Sequence, residues 1–364
     1  MWKKGVNMKD KFQPDLRPAL IGSLPMRDHE AATRLMFDYV PEIPLWVQLP
    51  VYKEEGMVAQ FLAGFPGVRH SGDKTYIDTG DVAFETEVVN FYEEYLAVAE
   101  NESLLPDSRF ALGEKIARGF FEFLKQAPAR AEQIFAAKGQ ITGPFTFATS
   151  VVDAGDRAVF YDDQLRDIAV KLIAMKARWQ VRRLAELGKP VILFFDEPGL
   201  TAFGSSAFIS ISREAVMDCF NEVFAAVHAE GALAGVHVCA NAEWSIILDS
   251  TADIVSFDAY SFFDKFILYA DSLRSFLKRG NILAWGIVPT SDPEKIHGES
   301  IDALFDRWTK QADRIEQLGV DRTVIRAQSL ITPSCGTGSL DLDSARRVLE
   351  LTAGLSRRLR EVES

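Results

Sequence analysis

The feature that most constrains the fold is an alternation of short apolar runs with longer amphipathic segments. Some runs are apolar almost throughout, such as VILFF at 191–195 and ILAWGIV at 282–288, which is typical of strands buried on both faces. The segments between the runs repeat apolar residues at helical spacing. Eight runs fit this description, at 19–24, 45–49, 140–143, 191–195, 233–238, 254–257, 282–288 and 323–328.

Alternating strands and helices predict parallel pairing through right-handed crossovers. Eight such units in 364 residues favour an α/β chain that folds as a single (β/α)8 TIM barrel spanning 1–364. A doubly wound parallel sheet remains the alternative, because periodicity does not reveal strand order.

One interval is too long for a simple strand–helix unit. Residues 51–138 separate the second and third runs, and they include the turn-rich stretch AGFPGVRHSGDKTYIDTGD. Its Gly and Asp clusters predict a hairpin, which is followed by helical patterns near 87–100 and 108–125. We expect this segment to be an insertion at the barrel mouth, within the same domain.

Charge and composition exclude several classes of protein. The chain has 40 Lys plus Arg against 52 Asp plus Glu, a net charge of −12, which argues against nucleic acid as a partner. No apolar run approaches the roughly 20 residues that span a bilayer, and residues 1–12 lack the apolar core of a signal peptide. We therefore expect a cytoplasmic protein that has no membrane partner.

Chemically distinctive residues follow the predicted strands. Active sites of this barrel lie at the carboxyl ends of the strands, so these side chains are expected to share one mouth. They are Gly22, Ser23, Gln48, Gly143, Asp196, Glu197, His237, Cys239, Asp258 and Cys335.

The most specific local pattern is His237-Val238-Cys239. Residues two apart on a strand share a face, so the imidazole and the thiolate can bind one metal ion. Cys335, in a Gly-rich turn after the last strand, could complete the set, and sulfur with imidazole favours Zn²⁺. The alternative is a buried cysteine and a hydrogen-bonded histidine that fill the barrel. Cys219 lies in a helical pattern and is expected in the core.

Asp196 and Glu197 directly follow an apolar strand. One interpretation is a helix cap that compensates the helix dipole. The other is a catalytic or binding role, in which the carboxylates hold an ammonium group or act as a general base.

Six segments in order resemble the catalytic barrel of cobalamin-independent methionine synthase. They are IGSLP, TGPFT, FFDEPGL, GVHVCANAEW with ADIVSFDAY, and ITPSCGTGSLD. The chain is also similar to the corrinoid-dependent thiol methyltransferases, which share a superfamily with uroporphyrinogen decarboxylase. The resemblance covers nearly the whole chain and is weakest in the insertion.

The resemblance implies a zinc-dependent methyltransferase of methionine biosynthesis that methylates a homocysteine-like thiol. His237, Cys239 and Cys335 match the family's zinc ligands, and Asp258 matches the family's glutamate ligand. Asp196 matches the acid that holds the substrate amino group. Gly22 and Ser23 match the turn that contacts the substrate carboxylate, with Gln48 beside them in the substrate site.

The chain also departs from the synthase pattern. The stretch FTFATSV lacks the folate-packing Trp, VPTSD lacks the His of the seventh loop, and 364 residues leave no room for an additional amino-terminal half. A methyl-corrinoid, delivered by a partner corrinoid protein, is therefore expected as donor in place of methyl-tetrahydrofolate. The alternatives are a uroporphyrinogen-decarboxylase-like lyase and a non-catalytic protein that binds a metal or a corrinoid.

Overall fold

The computed structural model describes residues 12–72 and 74–361. Its main sheet has six parallel strands in chain order, each paired with the next, and a separate antiparallel hairpin precedes it. The hairpin strands are β1 (Val68–Ser71) and β2 (Lys74–Ile77), and the sheet strands are β3 (Ala137–Thr142), β4 (Val191–Asp196), β5 (Leu233–Val238), β6 (Ile254–Phe257), β7 (Ile282–Val288) and β8 (Ser329–Pro333).

Helices follow most of the strands and pack on the outside of the sheet. The α-helices are α1 (His29–Tyr39), α2 (Ala59–Leu62), α3 (Phe84–Glu100), α4 (Arg118–Gln126), α5 (Pro144–Ser150), α6 (Asp163–Ala185), α7 (Arg213–Ala229), α8 (Ser245–Leu248), α9 (Ala259–Phe266), α10 (Ala270–Lys278), α11 (Pro293–Gly298), α12 (Ile301–Glu316), α13 (Arg322–Ala327) and α14 (Leu342–Glu361). Short 3₁₀-helices lie at Lys53–Glu55, Glu102–Asp107, Ala127–Arg130, Val159–Tyr161, Pro198–Ala202 and Ser206–Phe208.

The two predicted strands at 19–24 and 45–49 are not strands in the structure. They form isolated parallel bridges, in which Pro18 pairs with Ile331 of β8 and Leu45 pairs with Lys138 of β3. A third bridge joins Ser23 to Gln48. The structure therefore has a curved six-stranded sheet, and the predicted closed barrel of eight strands is not confirmed.

The predicted eighth strand at 323–328 is wrong. Residues Arg322–Ala327 form α13, whose N-cap Asp321 accepts a hydrogen bond from the Thr323 amide. The strand begins only at Ser329. The Thr, Val and Ile of this run suggest a strand, but the cap and the helical hydrogen bonds of the backbone determine the local structure.

The two faces of the sheet carry different apolar clusters. The inner cluster takes residues from the concave side, including Ile192 and Phe194 of β4, Ala284 of β7 and Leu330 of β8. The intervening strand residues pack into the larger cluster with the helices. Alternate residues of a strand face opposite sides of the sheet. The inner face therefore also includes the strand residues that lie an even number of positions from these.

The inserted segment contains the predicted hairpin, with β1 and β2 in antiparallel register, followed by α3 and α4. Gln60, which has no exposed surface, joins it to the main body by accepting a 2.6 Å hydrogen bond from Gln48 Nε2. Residues 1–11, where no signal peptide is predicted, lie outside the described residues. Among the described helices, none has the length and apolar character needed to span a bilayer.

Candidate metal centre

Three side chains predicted as metal ligands lie together. His237 is on β5, Cys239 follows that strand, and Cys335 follows β8; one nitrogen or sulfur from each lies within 4.8 Å of the others. Within the described residues, this is the group of His, Cys, Asp and Glu side chains close enough to hold one ion. The chain brings these groups together because β5 and β8 belong to the same curved sheet.

His237 is oriented by a neighbouring strand. Its ring is 4% exposed, and its Nδ1 forms a 2.9 Å hydrogen bond with Ser256 Oγ of β6, the residue paired with it in the sheet. Its Nε2 is buried and has no hydrogen-bond partner among the described residues. Burial, with a smaller contribution from the Lys138 charge, lowers the pKa of His237 to about 3. The imidazole is therefore neutral at pH 7, as a metal ligand must be.

The two thiols interact with each other. A hydrogen bond from Cys335 lowers the pKa of Cys239, and the same bond raises the pKa of Cys335, whose thiol is the donor. One cysteine is thus readily available as a thiolate, and a cation between the sulfurs would displace the proton of the other. Two sulfurs and one unpartnered imidazole nitrogen form a donor set suited to Zn²⁺.

The turn that contains Cys335 is hydrogen-bonded to the segment at 19–24, the first of the two predicted strands that form only isolated bridges. The amide of Thr337 donates to the Ser23 carbonyl at 3.0 Å, and the amide of Gly338 donates to Ser23 Oγ at 3.1 Å. A Cβ on Gly336 would lie 2.3 Å from Ser23 Oγ. The missing Cβ of Gly336 allows this close approach, which places Ser23 against the turn that contains Cys335.

Gly22 and Gln48, also predicted in the substrate site, contact each other. The Gln48 amide donates to the Gly22 carbonyl at 3.1 Å, and a Cβ on Gly22 would lie 2.8 Å from Gln48 Oε1. These contacts link the segment at 19–24 to the segment at 45–49. Gln48 also links them to the insertion, through its hydrogen bond to Gln60.

Asp196 ends β4 and pairs in the sheet with His237. Its Oδ1 is buried and accepts no hydrogen bond within the described part of the chain. Burial raises the pKa of Asp196, and the charge of Lys138 acts in the opposite direction. An unpartnered carboxylate oxygen beside the metal-ligand group is a suitable acceptor for a substrate donor group.

Glu197 faces a different way. Both of its carboxylate oxygens bond to the start of α5, accepting from the amides of Phe145 and Thr146 at 3.0 and 2.8 Å and from Thr146 Oγ1 at 2.6 Å. Burial raises its pKa to about 7, although these three bonds act to lower it. A Cβ on Gly143 would lie 2.1 Å from Glu197 Oε1. In this structure Glu197 caps a helix, the alternative that the sequence left open.

Asp258 is also a helix cap. It is the N-cap of α9, where its Oδ1 accepts a 2.8 Å hydrogen bond from the Ser261 amide. It is not part of the three-residue group. Burial is the main cause that raises its pKa. Cys219, predicted in the core, is buried on α7.

Sequence reasoning missed Lys138. It lies on β3 with no exposed surface, and its Nζ donates to the Ile21 carbonyl at 2.9 Å. The third predicted strand began at residue 140, which left Lys138 outside it. A lysine inside an otherwise apolar strand would have been a signal, since lysine is rarely fully buried without a partner.

Several buried polar atoms of the inner face have no hydrogen-bond partner in the described ranges. They are Gln140 Oε1, Asp196 Oδ1, His237 Nε2 and Thr332 Oγ1. Buried polar groups are nearly always bonded, so this concentration on one face marks the site where a polar ligand or ion fits. A groove of about 510 Å³ between α9 and α12 contains none of the predicted site residues.

Comparisons with known proteins give distant fold similarity. No family model and no curated protein matches the chain. A B12-independent methionine synthase from Shewanella sp. W3-18-1, solved with selenomethionine, is 15% identical with a TM-score of 0.47, over 66% of this chain and 67% of that one.

Two glycan-degrading enzymes give comparable scores. The GH20 catalytic modules of the pneumococcal exo-β-D-N-acetylglucosaminidase StrH are 11% identical, TM-score 0.43, over 97% of this chain and 86% of that chain. A fungal β-1,4-galactanase is 12% identical, TM-score 0.35, over 64% and 83% of the two chains. Because these scores lie below 0.5 and the activities differ, the similarities assign neither a family nor an activity.

Proposed function

We propose that this chain is a zinc-dependent methyltransferase that moves a methyl group to the sulfur of a homocysteine-like thiol. The observation that carries the proposal is the convergence of His237, Cys239 and Cys335, with His237 Nε2 buried and unpartnered in the described structure. In this proposal the bridged segments at 19–24 and 45–49 complete an eight-stranded barrel around the site. The whole chain then forms one barrel domain, with 51–138 as an insertion at its mouth.

His237, Cys239 and Cys335 are the residues that would hold Zn²⁺. When bound, zinc supplies a positive charge that keeps a substrate thiol deprotonated at neutral pH. Asp258, which caps α9 near these ligands, is the proposed fourth protein ligand in the absence of substrate.

We assign substrate recognition to the side of the site formed by the end of β4 and the segment at 19–24. Asp196 Oδ1, which accepts no hydrogen bond in the described structure, receives the substrate ammonium group. The turn at Gly22 and Ser23, beside Gln48, contacts the substrate carboxylate. Glu197 has a positioning role, because it fixes α5 against the carboxyl end of β4.

The transfer itself is a displacement at carbon. The sulfur–carbon bond forms as the bond between the methyl carbon and its donor breaks, and the electron pair of that bond remains with the donor. We propose a methyl-corrinoid as donor, brought by a corrinoid protein, because the sequence lacks the Trp that packs against folate. The cytoplasm is the proposed compartment, in keeping with free cysteines.

Metal analysis tests the proposal. Protein purified without added zinc is compared with Cys239→Ser and Cys335→Ser, and with Cys219→Ala as the matched control for a cysteine in the core. We expect about one zinc per chain in the wild type and in the control, and loss of most of it in the two ligand variants. Full zinc occupancy in both ligand variants would contradict the metal site.

An activity screen then separates methyl transfer from the alternatives. Methylcobalamin and methyl-tetrahydrofolate are each paired with L-homocysteine and with 2-mercaptoethanesulfonate, and the methylated thiol is measured. Methylation by methylcobalamin supports the proposal. Zinc binding without turnover of any pair would favour a non-catalytic metal protein, and a zinc-free wild type would favour a lyase.

A further inference from the structure

Lys138 has no role in the function proposed so far. It is a fully buried lysine on the inner face of β3, in a chain of net charge −12. Its Nζ lies 2.9 Å from the Ile21 carbonyl oxygen and 4.4 Å from the centre of the Phe194 ring. Burying an ammonium group is costly unless negative charge or hydrogen bonds offset the lost hydration. The site must therefore provide that compensation.

The groups around Lys138 explain where its charge acts. Burial lowers the pKa of Lys138, and the charge of Asp196 acts in the opposite direction by favouring the protonated lysine. The Lys138 charge also reaches His237. Through the Ile21 carbonyl, Lys138 holds the residue directly before the Gly22-Ser23 turn. The ammonium thus contacts the segment that leads into the Gly22-Ser23 turn, and its charge acts on Asp196 and His237.

We propose that Lys138 is a positioning residue that holds the Ile21–Ser23 turn and supplies the fixed positive charge that stabilises a substrate thiolate in this site. The inference rests on the proposed function and names a determinant of its selectivity for an anionic sulfur. A fixed cation in a low-dielectric interior favours a nearby anion and disfavours a nearby cation. It therefore strengthens thiolate binding while it opposes the binding of a metal ion.

Because the charge has opposite effects on thiolate binding and on zinc binding, measuring both distinguishes an electrostatic role of Lys138 from a structural one. Lys138→Met removes the charge and keeps a similar length, whereas Lys138→Gln removes the charge and keeps an N–H donor for Ile21. Lys176→Met is the matched control, since Lys176 is also fully buried but lies on α6 and donates to the Arg109 carbonyl at 3.5 Å.

The experiment measures three affinities for the wild type and each variant, two of them with the zinc-loaded protein. Calorimetry gives the Kd of L-homocysteine, which binds as a thiolate, and of L-methionine, which has a neutral thioether. Competition with a chromophoric chelator gives the Kd of zinc. We expect both Lys138 variants to raise the ratio of the L-homocysteine Kd to the L-methionine Kd about tenfold or more, and to bind zinc at least as tightly as the wild type. The ratio isolates the thiolate, because both ligands carry the ammonium and carboxylate groups assigned to Asp196 and the Gly22-Ser23 turn. Lys176→Met is expected to match the wild type.

Other outcomes overturn the inference. If L-methionine and L-homocysteine lose affinity by the same factor in both variants and zinc also binds more weakly, Lys138 has only a packing role. If Lys138→Met does not fold, Lys138→Gln alone decides between these results, and unchanged L-homocysteine affinity in the variants refutes the electrostatic role. A wild type that binds neither zinc nor thiols refutes the proposed function itself, and the inference with it.

Discussion

Lys176 allows a quantitative test of the packing between α6 and the inserted segment. Its side chain is fully buried, its Nζ donates to the Arg109 carbonyl at 3.5 Å, and burial lowers its pKa from 10.5 to about 7. At about 1.4 kcal/mol per pKa unit, this difference corresponds to about 5 kcal/mol of cost to the folded state when the lysine is protonated in both states.

The sign of the pH dependence follows from the lowered pKa. Between pH 7 and pH 10.5 the unfolded chain binds more protons at this site than the folded chain, so stability rises with pH. Below pH 7 the lysine is protonated in both states and the full cost remains. Above pH 10.5 it is neutral in both states and the cost disappears.

Replacing this lysine with a neutral residue should therefore stabilise the protein, most strongly at low pH. Lys176→Met removes the cost of about 5 kcal/mol but leaves the Arg109 carbonyl without this donor, a loss of about 1–2 kcal/mol. We expect the free energy of unfolding to rise by about 3 kcal/mol at pH 6, and this gain to fall to zero or below near pH 10.

Urea unfolding followed by tryptophan fluorescence, at one-unit steps from pH 6 to pH 10, measures the difference. Lys125→Met is the control, because the Lys125 side chain is 69% exposed and its replacement should change stability by no more than about 0.5 kcal/mol at any pH. A difference between Lys176→Met and the wild type that is the same at every pH, or a loss of stability at pH 6, would refute the reasoning.

Two other substitutions test contacts that position the site. Gly143→Ala places a Cβ 2.1 Å from Glu197 Oε1, so it should displace Glu197 from α5. We expect a cost of about 2 kcal/mol in the free energy of unfolding, measured as a lower Tm. An unchanged Tm would show that α5 does not depend on the close contact between Gly143 and Glu197. Asp253→Ala removes the carboxylate that accepts from the Ala234 amide at 2.8 Å and contacts His228 at 2.7 Å. It should cost about 2 kcal/mol in urea unfolding, and no measurable loss would contradict the role of Asp253 in joining β5 to β6.

The central strands could be predicted from sequence because they are apolar on both faces. The predicted bounds of β5, β6 and β7 match the structure, and the last residue of β4 differs by one. Burial on both faces leaves a continuous apolar run, a signal that does not depend on the rest of the fold.

The edges of the sheet were less predictable. The runs at 19–24 and 45–49 are apolar, but prolines at 18, 25, 44 and 50 remove N–H donors on both sides of each run, and isolated bridges result. At 323–328 the N-cap Asp321 started a helix in an apolar run. In both cases the backbone hydrogen bonds, which hydrophobicity does not report, decided the structure.

For the candidate site, the sequence by itself determined which residues share a face. The HxC spacing places His237 and Cys239 on one side of a strand, and the Gly-rich turn around Cys335 allows a close approach. The resemblance to methionine synthases added the expectation that these residues hold zinc.

Only the tertiary structure decided which side chains meet and which way each one points. It brought Cys335 next to Cys239, turned Glu197 toward α5, used Asp258 as a helix cap, and placed the unpredicted Lys138 behind the Gly22-Ser23 turn. Periodicity is local, since it reports only which face of an element is buried. Contacts between the ends of different strands depend on how the whole sheet curves, and a single run of sequence carries no record of that curvature.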